Sequence, residues 1–281
     1  MPGKRIQARE LVERMAAGEP IQLDDVEIAG RLDLSAIEDG TDGRNHTFGP
    51  ASFRSCHFLE GLGASAGEEV PSTAVRFRGD VSFDSCRFEG PVEFCDAEFQ
   101  GRLDCASSVF AGDLFCEGAV FEGETSFRGA RFLGEADFGS TQFAQQADYD
   151  AASFVGEARF LDAHFARQAC FGGVQFDGNA CFYAAQFLGG VDFAAAQFSR
   201  HADFDAVLFG GPTGFAAARF LRTSGFGNVR FLAGADFGAA SFAELAVFWE
   251  TEFDGDVRFD GATYRGAPFD PSRSDSTSWL E

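Results

Sequence analysis

An aromatic residue recurs along this sequence at alternating steps of six and five residues. From Phe77 to Tyr264 the alternation keeps its register, and only Cys105 and Cys116 replace the aromatic residue within it. The 281 residues include 36 Phe but only 2 Trp and 3 Tyr, so one side chain supplies most of the aromatic content. A repeat of this kind predicts a stack of similar units, each packing on its neighbours, and not one globular core.

The residue two positions before each aromatic residue is almost always small, as in Ala136 before Phe138 and Ala158 before Phe160. Both positions should therefore point inward. A helix would place apolar residues about 3.6 residues apart, which steps of five and six do not match. A very short strand fits the pattern, because its small and large residues point inward and the polar residue between them points outward.

The units ADFGS at 136–140, ADYDA at 147–151 and ADFDA at 202–206 resemble the pentapeptide-repeat family, whose unit is A-(D/N)-(L/F)-x-x. The resemblance implies an all-β fold, a right-handed four-sided parallel β-helix. Every second unit here carries a sixth residue, so one coil should take about 22 residues. Gly123 and Gly189 lie in these longer units, and we expect them to adopt positive φ at a widened corner.

Composition divides the chain into a capped solenoid and a tail. The aliphatic residues Leu23, Ile28 and Leu34 continue the repeat into the first coil. An open solenoid end invites strand pairing, so a segment of good helix formers at the N-terminus is predicted to cover it. The predicted parts are a capping helix at 1–20, the β-helix at 21–264 with loops at 35–47 and 59–76, and a tail at 265–281.

The chain is strongly acidic, with 44 Asp and Glu against 22 Lys and Arg and a net charge of −22. Such a balance excludes direct binding of nucleic acid or of an anionic membrane through a general positive field. The sequence has no long apolar window and no apolar core near Met1, which favours a cytoplasmic location. Its seven cysteines form no CxxC pair and indicate neither a disulfide framework nor a zinc site.

Residues 22 apart should stack on one face, which assigns most of the excess acid to two opposite faces. One face runs through Phe138 and Phe160, and the other runs through Phe127 and Tyr149. The candidate partner-binding residues are Asp137, Asp162, Asp203 and Asp205 on the first face and Asp148, Asp150, Asp192 and Asp236 on the second. These aspartates either bind a partner or keep a Phe-filled rod soluble.

A small apolar group also faces outward near the end of the repeat. Val247 and Trp249 flank the inward Phe248, and Leu161 and Tyr183 lie on the same face. Adjacent exposed apolar residues usually mark an interface. Val247 and Trp249 are therefore candidate interface residues, unless the tail folds back over them.

No catalytic residue, cofactor or metal site is predicted. The histidines are scattered, and Asp203 and Asp205 project from a convex wall that offers no third ligand. The leading hypothesis is a non-enzymatic protein-interaction scaffold that acts through its acidic outer faces. A metal-binding or enzymatic role is the weakest alternative.

The resemblance implies a second hypothesis, because some pentapeptide-repeat proteins act as DNA mimics. They bind DNA gyrase or topoisomerase IV in place of DNA and protect the enzyme from quinolones or peptide toxins. The expected partner is therefore a protein, for example one of these enzymes, with residues 59–76 contacting it. We expect no direct contact with nucleic acid or membrane, and a monomer or a homodimer formed through an end of the β-helix.

Overall fold

The fold is a four-sided β-solenoid of about 11 turns with about 22 residues in each coil. It is seen in a computed structural model that describes residues 4–35, 45–63 and 74–269. A short helix precedes the first coil. Each coil contributes one strand to each of four sheets, which we number 1 to 4 in chain order from Ile21.

Sheets 1 and 3 hold the strands that end just before an inward aromatic residue of the repeat. Sheet 1 contains Ile21–Asp24, Ala51–Arg54, Val81–Ser82, Leu103–Asp104, Thr125–Ser126, Ala147–Asp148, Ala169–Cys170, Val191–Asp192, Thr213–Gly214, Ala235–Asp236 and Val257–Arg258. Sheet 3 contains Leu32–Asp33, Leu62–Gly63, Val92–Glu93, Leu114–Phe115, Ala136–Asp137, Ala158–Arg159, Ala180–Cys181, Ala202–Asp203, Ser224–Gly225 and Ala246–Val247.

Sheets 2 and 4 hold the strands that end, in the repeat, on the aromatic residue itself. Sheet 2 contains Lys4–Gln7, Val26–Ala29, His57–Phe58, Arg87–Phe88, Val109–Phe110, Arg131–Phe132, Ser153–Phe154, Gln175–Phe176, Gln197–Phe198, Arg219–Phe220, Ser241–Phe242, Thr263–Tyr264 and Ala267–Pro268. Sheet 4 contains Asn45–Phe48, Ala74–Phe77, Glu98–Phe99, Val120–Phe121, Gln142–Phe143, His164–Phe165, Gln186–Phe187, Leu208–Phe209, Arg230–Phe231 and Glu252–Phe253.

Within the repeat, neighbouring strands of a sheet are parallel and pair residues 22 positions apart. Ala136 lies opposite Ala158, and Val191 lies opposite Thr213. Amides of inward aromatic residues in sheets 1 and 3 donate to the next coil, as that of Phe138 does to the carbonyl of Arg159 at 2.7 Å. The chain runs through the sheets in the order 1, 2, 3, 4, so sheets 1 and 3 lie on opposite sides of the rod.

Aromatic rings stack along the axis, as the spacing predicts. The ring centroids of Phe138 and Phe160 lie 5.1 Å apart with planes 8° from parallel, and Phe160 and Phe182 stack at 4.9 Å. Rings from different sides meet edge to face, as Phe160 does with Phe171 at 5.5 Å. Both arrangements suit the quadrupole of an aromatic ring. Phe138, Phe160 and Phe182 are fully buried, so the repeat builds the core and not a site.

A residue with positive φ follows the aromatic residue of sheets 1 and 3 by two positions. Ala184 has φ of 57°, and the amide of Ala185 donates to the carbonyl of Phe182 at 2.9 Å, which describes a type II turn. The positive-φ residues recur every 11 positions. They are Ser85, Asp96, Ser107, Gly118, Gly129, Ser140, Ala151, Asp162, Gly173, Ala184, Ala195, Ala206, Ala217, Asn228, Ala239, Glu250 and Gly261.

The prediction that Gly123 and Gly189 adopt positive φ is wrong. Neither glycine lies in the left-handed region. A Cβ at Gly123 would overlap the carbonyl oxygen of Gly101, and one at Gly189 would overlap the carbonyl group of Arg167. At these two corners glycine is required because the backbones of successive coils approach closely.

The N-terminal cap differs from the predicted helix at 1–20, because it begins with a strand. Lys4–Gln7 pairs in parallel with Val26–Ala29 and so satisfies the free edge of sheet 2. The helix spans Ala8–Ala16 and buries Leu11 and Met15, among other residues, against the core.

The predicted loops are shorter than expected at their described ends. Asn45–Phe48, Leu62–Gly63 and Ala74–Phe77 are strands, and residues 36–44 and 64–73 lie outside the described residues.

The described part of the predicted tail closes the C-terminal end of the rod. Ala267–Pro268 pairs in antiparallel fashion with Thr263–Tyr264, and the ring of Phe269 stacks on Phe259 at 4.5 Å. The rest of the tail, residues 270–281, lies outside the described residues.

Candidate partner-binding faces

The eight candidate aspartates form two groups on opposite sides of the rod. On sheet 3, Asp137 and Asp203 end strands, whereas Asp162 and Asp205 lie in the corner that follows. On sheet 1, the strand-ending residues are Asp148, Asp192 and Asp236, and Asp150 lies in the corner.

The aspartates that end strands accept hydrogen bonds from the backbone of the following corner. The amide of Gly139 donates to Oδ1 of Asp137 at 2.8 Å, and the amide of Asp205 donates to Oδ1 of Asp203 at 2.9 Å. Asp148, Asp192 and Asp236 accept from the amide two residues on at 2.8 to 2.9 Å. Such Asx turns give a partner to a corner amide that the ladder between coils leaves free.

Where the strand does not end in aspartate, a carboxylate from the preceding coil can bind the same amide. Oδ1 of Asp150 accepts from the amide of Gly172 at 2.8 Å, in a coil whose strand ends in Cys170. Oδ1 of Asp205 likewise accepts from the amide of Gly227 at 2.7 Å, where the strand ends in Gly225. The aspartates therefore accept hydrogen bonds from the corner backbone, a role that the sequence analysis did not predict. The fixed place of aspartate in the A-D-F unit was the signal that could have revealed it.

Arginines pair with half of the candidate carboxylates. Arg159 lies 3.6 Å from Asp137 and also contacts Glu135 and Glu157. Arg128 binds Asp148 at 3.2 Å and Asp150 at 3.0 Å, and Arg258 lies 3.8 Å from Asp236. The ion pairs found among the described residues include none of Asp162, Asp192, Asp203 and Asp205. The excess charge is therefore uneven along each side.

The surroundings of Asp205 perturb its carboxyl group. Burial raises the pKa of its carboxyl group, the amide of Gly227 opposes that rise, and the nearby charge of Asp203 adds to it. The indole of Trp249 lies against the same Gly227 from the following coil, where a Cβ would overlap Nε1 and Cδ1. Asp205 and Trp249 thus lie on one glycine, whereas the spacing of 22 predicts only that residues 205, 227 and 249 are in line.

The predicted apolar group lies on sheet 3 and is largely open. Leu161 is 42%, Tyr183 46% and Trp249 44% exposed, whereas Val247 is half-buried. Phe269, in the described part of the tail, packs on the ring of Phe248 at 6.4 Å and leaves Trp249 accessible. Residues 161, 183, 205, 227 and 249 form one line along the side of the rod because they are spaced by one coil.

Among residues 4–35, 45–63 and 74–269, no group of three or more His, Cys, Asp and Glu side chains is arranged to hold a metal ion. Within these same ranges no helix has both the length and the apolar character needed to cross a membrane. A shallow groove on sheet 1 has Asp192, Gly214 and Asp236 in its lining.

Comparison with known families identifies the repeat. Residues 117–164 match the model for pentapeptide repeats, with 9 copies. No curated protein matches the chain. Solenoids of this family are generally non-catalytic. Residues 117–164 therefore carry pentapeptide repeats, and units of the same spacing continue in register through the coils on either side.

Proposed function

We propose that this rod is a non-enzymatic scaffold that binds a partner protein through its acidic outer faces. The aromatic side chains of the repeat are buried in the core, so the outward positions are free to vary without loss of the fold. The observation that carries the proposal is the set of carboxylates without an ion pair to any described residue, namely Asp162, Asp192, Asp203 and Asp205. The proposal takes the cytoplasm as the compartment.

The test replaces these four aspartates by asparagine. Asparagine removes the charge but keeps an oxygen that accepts the corner amide, so the rod should remain folded. A matched control replaces Glu27, Glu122, Asp177 and Asp254, which lie on or beside the strands of sheets 2 and 4 and also have no ion pair to a described residue, by the corresponding amides. Proteins captured from a cell lysate are identified by mass spectrometry. Proteins retained by the parent and control rods but lost from the test variant support the proposal, and identical sets for all three would contradict it.

A DNA mimic is the second proposed function, favoured by the regular spacing of acid on sheet 1. Asp104, Asp148, Asp192 and Asp236 occur in every second coil along one side of the rod. Duplex DNA likewise presents charge at regular intervals along its axis. A protein that binds DNA phosphates, such as DNA gyrase or topoisomerase IV, would meet a similar periodic field.

A gyrase supercoiling assay with and without a quinolone tests this second function. Inhibition by the rod, or protection from the drug, supports mimicry, and the effect should fall when Asp148 and Asp192 are replaced by asparagine. No effect at micromolar rod would leave the scaffold function alone.

A further inference from the structure

We propose that sheet 3 binds arginine side chains of a partner protein through a patch formed by Tyr183, Asp203, Asp205 and Trp249. The inference rests on the proposed scaffold function and adds the side of the rod and the chemistry of the partner. We call these four residues the arginine patch.

The arginine patch lies along one line of the rod. Tyr183, Asp205 and Trp249 occupy the same outward position in successive or alternate coils, and Asp203 lies beside Asp205 across the inward Phe204. Tyr183 and Trp249 are three coils apart, which is about 14 Å at about 4.8 Å per coil. An extended segment covers that distance with about four residues.

The carboxylate of Asp205 and the indole of Trp249 meet at Gly227. Oδ1 of Asp205 accepts from the Gly227 amide at 2.7 Å, and the indole of Trp249 covers the Cα of the same glycine. A guanidinium group can stack on an aromatic face while it donates hydrogen bonds to a neighbouring carboxylate. An ammonium group cannot do both equally well, because it is compact and strongly hydrated.

The charge around the patch is available to a partner. Asp203 and Asp205 form no ion pair with a described residue, in contrast to Asp137, which faces Arg159 on the same sheet. Tyr183 and Trp249 are nearly half exposed, so a partner side chain can reach their rings. A cationic protein segment satisfies both features, whereas a phosphate-bearing surface would be repelled by the carboxylates.

The experiment measures binding of two peptides of equal charge, nona-arginine and nona-lysine, to the full chain. The Trp279→Phe variant leaves Trp249 as the single tryptophan, so its fluorescence reports contact at the patch. We expect nona-arginine to bind more tightly than nona-lysine and to change this fluorescence. Calorimetry on the chain that carries Tyr183→Ala and Trp249→Ala should show roughly a tenfold loss of nona-arginine affinity, with the preference over nona-lysine removed.

Two control variants match the changes in the patch. Asp203→Asn with Asp205→Asn should weaken nona-arginine binding, whereas Asp148→Asn with Asp150→Asn should not, although the second pair flanks an inward aromatic residue in the same way on the opposite side. Leu188→Ala with Leu232→Ala removes equally exposed apolar side chains from sheet 4 and should also leave affinity unchanged.

Equal affinity for the two peptides, or equal losses from the two aspartate pairs, would overturn the patch. The scaffold function would survive that result, because general acidic binding would remain. If neither peptide binds, both the arginine patch and the scaffold function are overturned.

Discussion

Asp137 shows at the scale of one residue how charge and structure are combined in the repeat. Its carboxylate accepts the amide of Gly139 and also lies near Arg159. Asparagine can accept the hydrogen bond from the amide but cannot form the ion pair with arginine. This agrees with the choice of aspartate or asparagine in the unit of the pentapeptide-repeat family.

Asp137→Ala should lower the free energy of unfolding by about 1 kcal/mol, because the Gly139 amide loses its acceptor. Asp137→Asn should retain most of the stability. Urea denaturation followed by circular dichroism compares the two variants. Equal losses from both would show that charge, and not the hydrogen bond, stabilises the corner.

Tyr149 carries a polar atom that its surroundings do not satisfy. The ring occupies an aromatic position of sheet 1 and stacks on Phe127 and Phe171 at 5.2 and 4.9 Å. Its hydroxyl group is buried and has no hydrogen-bond partner among the described residues, and burial raises the pKa of the phenol.

Tyr149→Phe should therefore raise the free energy of unfolding by about 1 kcal/mol, since it removes an unpaired buried hydroxyl group and keeps the ring. The thermal midpoint measures the effect, with Phe171→Tyr as the reverse change in the next coil of the same sheet. A lower midpoint for Tyr149→Phe would mean that the hydroxyl group has a partner in solution.

At the scale of the structural element, the sequence predicts the strands better than the corners. Steps of five and six predict the coil length and the stacking of Phe138 on Phe160 correctly. They do not reveal which corner is left-handed, because Ala184 and most of its counterparts adopt positive φ although they are not glycine. The glycine at 123 reflects contact with Gly101 in the preceding coil, which no local pattern shows.

The candidate site, like the fold, is predicted from the sequence only in part. The spacing of 22 assigns aspartates to opposite sides, but the meeting of Asp205 and Trp249 on Gly227 depends on how side chains lie between coils. The pairing of Arg128 with two carboxylates depends on its rotamer in the same way.

The two kinds of corner should respond in opposite ways to glycine and alanine. Ala184→Gly removes the steric cost that alanine has at positive φ, although glycine loses more backbone entropy on folding. The net effect should stabilise the rod by about 0.5–1 kcal/mol. Gly123→Ala should destabilise it by roughly 1–3 kcal/mol, because the new methyl group overlaps the preceding coil. Urea midpoints of the two variants test the assignment, and the reverse order of stabilities would contradict it.

At the scale of the whole molecule, each coil consists of two similar halves. Strands and left-handed residues recur every 11 positions, so inward residues that are 11 apart are interchangeable in kind. Outward residues that are 11 apart are not interchangeable, because the arginine patch lies on sheet 3 alone. Removal of one half-coil should therefore preserve the core while it turns every later coil to the opposite side.

The most direct test compares two deletions for nona-arginine binding. Deletion of 208–229 removes one full coil and keeps all four residues of the arginine patch on one side, whereas deletion of 208–218 moves Trp249 to the side opposite the other three. Circular dichroism should show that both chains fold, which confirms that inward residues determine the rod. We predict that the full-coil deletion retains the preference for nona-arginine over nona-lysine and that the half-coil deletion loses it. Equal preference in both chains, or failure of the half-coil deletion to fold, would contradict the division between an inward fold and an outward binding side.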